Sequence, residues 1–360
     1  MVNPVKNLQR TAAEYKQMDK KDQKRFWVDG ILNNALYIIM ILFIIFTAFK
    51  NKNFLKVGSL VNMVSQVAAY LPLALGIGGC IVLTGTDLSA GRVVGLTAAI
   101  SVALQQVVDR RMLSFLPEYP GWAGIIIALL AVTIVGGLIG LVNGFFVAKY
   151  KLHPFIVTLA TQLITYGLIV LFFQTNGNNG QPLAGLTPEY DKFITGKMIN
   201  FGRGVSIPWY VLYAVIFTVV MWFIWNKTTF GKNMFAVGSN AEAANVSGVN
   251  VFKTTVMVHT LAGIMYGMTG FIEGSRIGSI VTNTGLNYEC DAIAACVIGG
   301  VSFVGGTGKI SGIVLGVIIL RIIFVALTML GIDPSMQYII KGAIILVACS
   351  LDMRKYLVRK

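Results

Sequence analysis

Apolar residues along the chain gather into ten runs separated by short polar stretches, at about 30–49, 60–84, 91–108, 122–148, 154–174, 208–225, 254–275, 288–302, 309–331 and 335–351. A helix needs about 20 such residues to cross a hydrocarbon core of about 30 Å, and most of the runs are close to that length. None shows the two-residue alternation of an outer-membrane strand. The pattern predicts an all-α, polytopic membrane protein of about ten transmembrane helices. Glycine-rich interruptions, Gly85 and Gly91 in one place and Gly299, Gly300, Gly305, Gly306 and Gly308 in another, predict broken or re-entrant segments that reverse direction. A faint similarity between 75–100 and 293–318 hints at an internal repeat.

Composition agrees with the pattern. Of 360 residues, 56% are hydrophobic and 12% charged, against about 25% charged in soluble proteins, which excludes a soluble enzyme. The formal charge of +14 would suggest nucleic acid in a soluble chain. Here the basic residues fall between apolar runs, where they set topology, and no nucleic-acid partner is expected.

Residues 1–28 hold seven basic and three acidic side chains and read as a cytoplasmic lead-in. The run that follows is too long for a cleaved signal and lacks an Ala-x-Ala exit. With both termini cytoplasmic, and Arg92 counted in a cytoplasmic turn, eighteen Lys and Arg fall inside and eight outside. That balance follows the positive-inside rule, although Lys50, Lys52 and Lys56 depart from it. The chain divides into the lead-in 1–28, a membrane domain 29–353 and a tail 354–360. Four cysteines in apolar runs and two histidines give no metal site, disulfide framework or cofactor.

Two hydrophilic stretches interrupt the domain. The outer one, 175–207, reads either as a cover on the mouth of a pathway or as a flexible connection. The cytoplasmic one, 226–253, contains a helix start and a helix stop. Ser239 or Asn240 can cap free amides, Ala241 to Ser247 favours about two turns, and Gly248 suits the left-handed position that follows. A helix this short is marginal in water unless something holds it. Two readings stay open: a surface turn, or a lever whose small residues, Ala244, Asn245 and Ser247, admit a partner while Glu242 offers it a charge.

Ionisable groups in hydrocarbon are costly and therefore face protein, water or an opposite charge. Asp87, Arg92, Glu273, Arg276, Glu289, Asp291, Arg321 and Lys341 need such an explanation. Asp87, just before Ser89, is expected to cap the third span, with contact to a substrate as the alternative. Glu273 and Arg276, three apart, form either a packing ion pair or a gate. Glu289 and Asp291 open the eighth span, where the helix dipole favours carboxylates. Asn143, flanked by glycines, marks close helix packing, or a hydrogen bond to a neighbouring helix or a sugar hydroxyl. The glycines before Lys309 lack the spacing of a phosphate-binding loop, so no nucleotide site is expected. No span presents a polar stripe of the kind a channel needs, and no aromatic platform for a sugar is evident.

Three stretches carry a resemblance: Thr84-Gly-Thr-Asp-Leu-Ser-Ala-Gly-Arg92, the loop from Phe230 to Asn250, and Tyr288 to Gly308. They resemble the permease subunits of monosaccharide ABC importers, of ribose, arabinose, xylose and galactose type. Phe271 to Gly278 and Gln337 to Ile345 are most similar to the galactose and methyl-galactoside branch. The likeness runs from about residue 30 to the end. It implies a non-enzymatic transport subunit of a bacterial inner membrane, working with a second copy of itself, a cytoplasmic ABC ATPase and an extracytoplasmic sugar-binding protein. The 239–248 segment is then the ATPase coupling helix. The rival reading is an ion-coupled secondary transporter, for which Asp87 and Glu273 are the candidate titrating carboxylates.

Overall fold

A computed structural model describes residue 19 and residues 35–114, 121–202 and 204–357; the lead-in expectation, Asp19 apart, lies outside them. Each of the ten apolar runs contains a helix. In chain order the elements are α1 (Ala35–Lys50), α2 (Val57–Val82), α3 (Ala90–Leu104), α4 (Gly121–Tyr150), α5 (Pro154–Phe173), β1 (Leu183–Ala184), α6 (Pro188–Thr195), β2 (Lys197–Asn200) and β3 (Ser206–Pro208). They continue with α7 (Trp209–Lys227), α8 (Thr229–Ser239), α9 (Ala241–Val246), α10 (Val251–Ile277), β4 (Ser279–Ile280), α11 (Tyr288–Ile298), α12 (Ile310–Met329) and α13 (Pro334–Leu357). Among the described residues, α2, α4, α5, α7, α10 and α12 are long and apolar enough to cross a membrane.

The third and eighth predicted spans need correction. α3 has 15 residues and α11 has 11, about 22 and 16 Å of helix at 1.5 Å per residue. Neither reaches across a bilayer core alone. α3 starts late because Leu83 to Ser89 is not helical. α11 stops at Gly299 and Gly300, the latter at φ 82°. Arg92 also moves: it is buried in the first turn of α3 with its guanidinium 4.4 Å from the Tyr166 ring centre, rather than in a cytoplasmic turn.

The centre of the bundle is α10, packed on α4, α3 and α2. Gly136, Gly140 and Gly144 repeat every fourth residue on α4 and meet Gly263, His259 and Val256 of α10. A Cβ on Gly140 would strike the His259 carbonyl, so the two backbones touch with no side chain between them. On the opposite side of α4, Ile126, Leu130, Ile134 and Leu138 are each more than half exposed, a continuous apolar strip suited to lipid.

The two ends of the bundle differ. At one end, α8, α9 and the 299–309 turn gather around the end of α2. At the other, the stretch after α5 is an ordered cap and not a loose connection. β1 pairs antiparallel with β4, β2 pairs with β3, and Gln106 bridges to Leu186. Tyr190 of α6 is fully buried there; its hydroxyl donates to the Phe271 carbonyl and meets Ser101 Oγ at 2.9 Å. Burial raises the pKa of that phenol above its usual value.

Candidate functional site

The first cluster lies at the α9 end. Asn240, rather than Ser239, is the N-cap of α9, its Oδ1 accepting the Ala243 amide at 2.9 Å. Ser239 instead closes α8. Gly248 follows the helix at φ 85°, the left-handed conformation that ends it. Glu242, Asn245, Ser247 and Gly248 are exposed, whereas Ala244 is buried and anchors the helix to the bundle. Val246, which sequence reasoning passed over, is 89% exposed.

The base of this projection is rigid. Gly238 lies against the Val82 carbonyl, Gly306 against Ser239, and Gly305 against Thr84 and the Gly238 carbonyl. The Gly306 amide donates to the Val82 carbonyl at 2.9 Å. Gly305 and Gly306 both have positive φ, which lets the turn fold tightly onto the ends of α2 and α8. Gly299, Gly300 and Gly308 belong to the same turn.

The second cluster is buried at the α3 break. Asp87 is fully buried; its Oδ1 accepts the Ser89 amide at 2.9 Å and the Ser89 hydroxyl at 2.6 Å. The Tyr266 hydroxyl donates to its Oδ2 at 3.3 Å. Asn143 donates to Ser89 Oγ at 3.0 Å and accepts from Thr161 at 2.6 Å. Asp87 thus bonds the N-cap amide, one position ahead of the first-turn amides a cap would satisfy. The chain α10, α3, α4, α5 is joined through one polar network. Gly85 packs on Pro154 where this break meets the start of α5.

The third cluster lies in the half of the bundle away from α9. Glu273 and Arg276 form a two-pronged pair, both contacts at 2.7 Å, and the Tyr288 hydroxyl donates to Glu273 at 3.2 Å. Asp291 is held by Arg321 and by Lys341, each at 2.6 Å. The Arg321 guanidinium lies 3.4 Å from the Tyr70 ring centre, and that ring is 4.7 Å from Tyr288. Asp291 therefore has two cations from α12 and α13 as partners, beyond the helix dipole assigned to it from sequence. Glu289 goes elsewhere: its Oε2 is buried against Gly91, with no hydrogen-bond partner among the described residues. Glu289 and Gly91 apart, the candidates from sequence thus form three separate groups and not one site.

Among the described residues no group of His, Cys, Asp or Glu is arranged to hold a metal ion. The family model described as "Branched-chain amino acid transport system / permease component" matches residues 59–349. The galactose/methyl galactoside import permease protein MglC of Haemophilus influenzae is 42% identical over 332 residues, covering 92% of this chain and 97% of that protein. The Escherichia coli protein of the same name is 41% identical, covering 94% and 98%. The ribose import permease protein RbsC of Bacillus subtilis is 33% identical, covering 93% and 97%. No solved structure gives a significant match.

Proposed function

The chain belongs to the permease family described for branched-chain amino acid transport systems, and from that premise we propose that it is the membrane subunit of an ATP-driven importer carrying galactose or methyl galactoside inward. The family description mentions amino acids, while the two most identical relatives cited are named for galactosides. The substrate reading follows the relatives.

On this reading α9 is the lever and the chain hydrolyses nothing itself; ATP is spent by a separate cytoplasmic subunit. The observation that carries the reading is an exposed six-residue helix, capped at both ends, standing on a base locked by glycine contacts. Such a helix transmits a push without dissipating it in its own bending. Glu242 and Val246 give the partner one charge and one apolar contact. The α9 end then faces the cytoplasm, both chain termini lie on that side, and the cap built from α6 and the short strands faces outward to receive a sugar-binding protein. A second copy of the chain completes the pathway in a bacterial inner membrane.

Reconstitution tests the proposal. Vesicles holding this chain, its ATPase and its binding protein are expected to accumulate labelled galactose only with ATP present. Galactose uptake by this chain alone under an imposed proton or sodium gradient would overturn it in favour of ion coupling, with Asp87 or Glu273 as the titrating group.

A further inference from the structure

The half of the subunit away from α9 contains a cavity of about 360 Å³ between α2, α11, α12 and α13. Small-molecule sites occupy about 300–1,000 Å³, so the space suits one small ligand. Its walls are unlike a lipid-facing groove. Asn62, Gln66 and Tyr70 line it from α2 at every fourth residue, a polar stripe on one helical face. Gln337 and Lys341 repeat that spacing from α13, and Arg321 and Thr328 enter from one face of α12. Polar side chains in hydrocarbon are expensive and mark pathways by default.

Several of these groups have spare hydrogen-bonding capacity. The Asn62 and Gln66 amides have no hydrogen-bond partner among the described residues. Arg321 Nε is buried without one as well. The wall also carries the rings of Tyr70, Tyr288, Phe324 and Tyr338, the last 57% exposed. Both cations are already turned onto Asp291, one on each carboxylate oxygen. An anionic ligand would have to compete with that carboxylate.

We propose that this cavity is a transit site for a neutral monosaccharide, the C–H face of the pyranose lying on a tyrosine ring and its hydroxyls meeting the free amides of Asn62 and Gln66. The face of an aromatic ring is negative, which favours the slightly positive C–H groups of a sugar, and its edges leave room for polar contacts beside it. The proposal rests on the import reading above and adds to it a place within the subunit where the sugar pauses.

The test uses the assembled importer, this chain with its ATPase, in lipid nanodiscs. Gln337→Cys and Thr328→Cys, lining positions given no sugar contact above, are made separately, on different helices, and reacted with a small hydrophilic thiol reagent; the parent protein with its native cysteines gives the background. Galactose at ten times its dissociation constant is expected to slow modification at both positions about tenfold by mass action, while inorganic phosphate and leucine leave the rate unchanged. Rates insensitive to galactose and methyl galactoside, no reaction at either cysteine, or protection by phosphate or leucine instead would each overturn the site. Uptake by the parent importer with its binding protein is measured alongside. An importer that carries galactose without protecting either cysteine removes this cavity only, whereas one that carries no monosaccharide removes the import reading itself.

Discussion

Asp87 is a carboxylate in the bundle interior with no salt bridge among the described residues. An isolated buried charge is costly; here three donors and the start of α3 offset the cost. Asparagine retains the acceptor that binds the Ser89 amide. Asp87→Asn is therefore expected to keep most galactose uptake, and Asp87→Leu, which severs α3 from Tyr266, to lose it at normal expression. Complete loss in the Asn variant would point to titration instead. Asp291 gives a contrasting case, since its removal leaves Arg321 and Lys341 facing each other. Breaking a buried ion pair by removing one partner costs about 3–5 kcal/mol. Asp291→Leu should lower the unfolding temperature in detergent markedly, and adding Arg321→Met and Lys341→Met should restore much of it.

Among the elements, α9 and the α4–α10 pair behave oppositely toward added bulk. A Cβ at Gly248 meets nothing within 4 Å, so Gly248→Val adds only the strain of a branched residue at positive φ, about 1–3 kcal/mol. Fraying of the exposed α9 end releases that strain locally, so the bundle should keep its unfolding temperature while uptake and co-purification of the ATPase fall together. Gly140→Val instead drives a side chain into the His259 carbonyl, and overpacking of this kind costs about 1–3 kcal/mol or more. Its expected signature is a lower unfolding temperature measured on the purified protein.

At the scale of the molecule, hydropathy made the bundle legible because hydrocarbon demands long apolar helices. It hid the half-helices, since Val301 and its neighbours keep a window apolar where the backbone has already left the helix. The α9 helix was readable from its caps, which are local. The ordered cap was not, because Leu183 pairs with Ile280 nearly a hundred positions away. The partners of Asp291, Arg321 and Lys341, come from the two helices that follow its own, outside the reach of local pattern. The stripe of Asn62, Gln66 and Tyr70 is plain in the spacing, yet sequence reasoning found no such stripe. Its setting depends on α12 and α13 supplying the facing walls, and Tyr70, Tyr288 and Tyr338 come to line one cavity only once the helices meet.

The seam where α4 and α10 touch main chain to main chain also bears on how the subunit works. Because main chain lies against main chain at Gly136, Gly140 and Gly263, those two helices are expected to move as one rigid body, a keel for the subunit. On the import reading proposed above, such a subunit is expected to change posture by rocking around that spine and not by softening it.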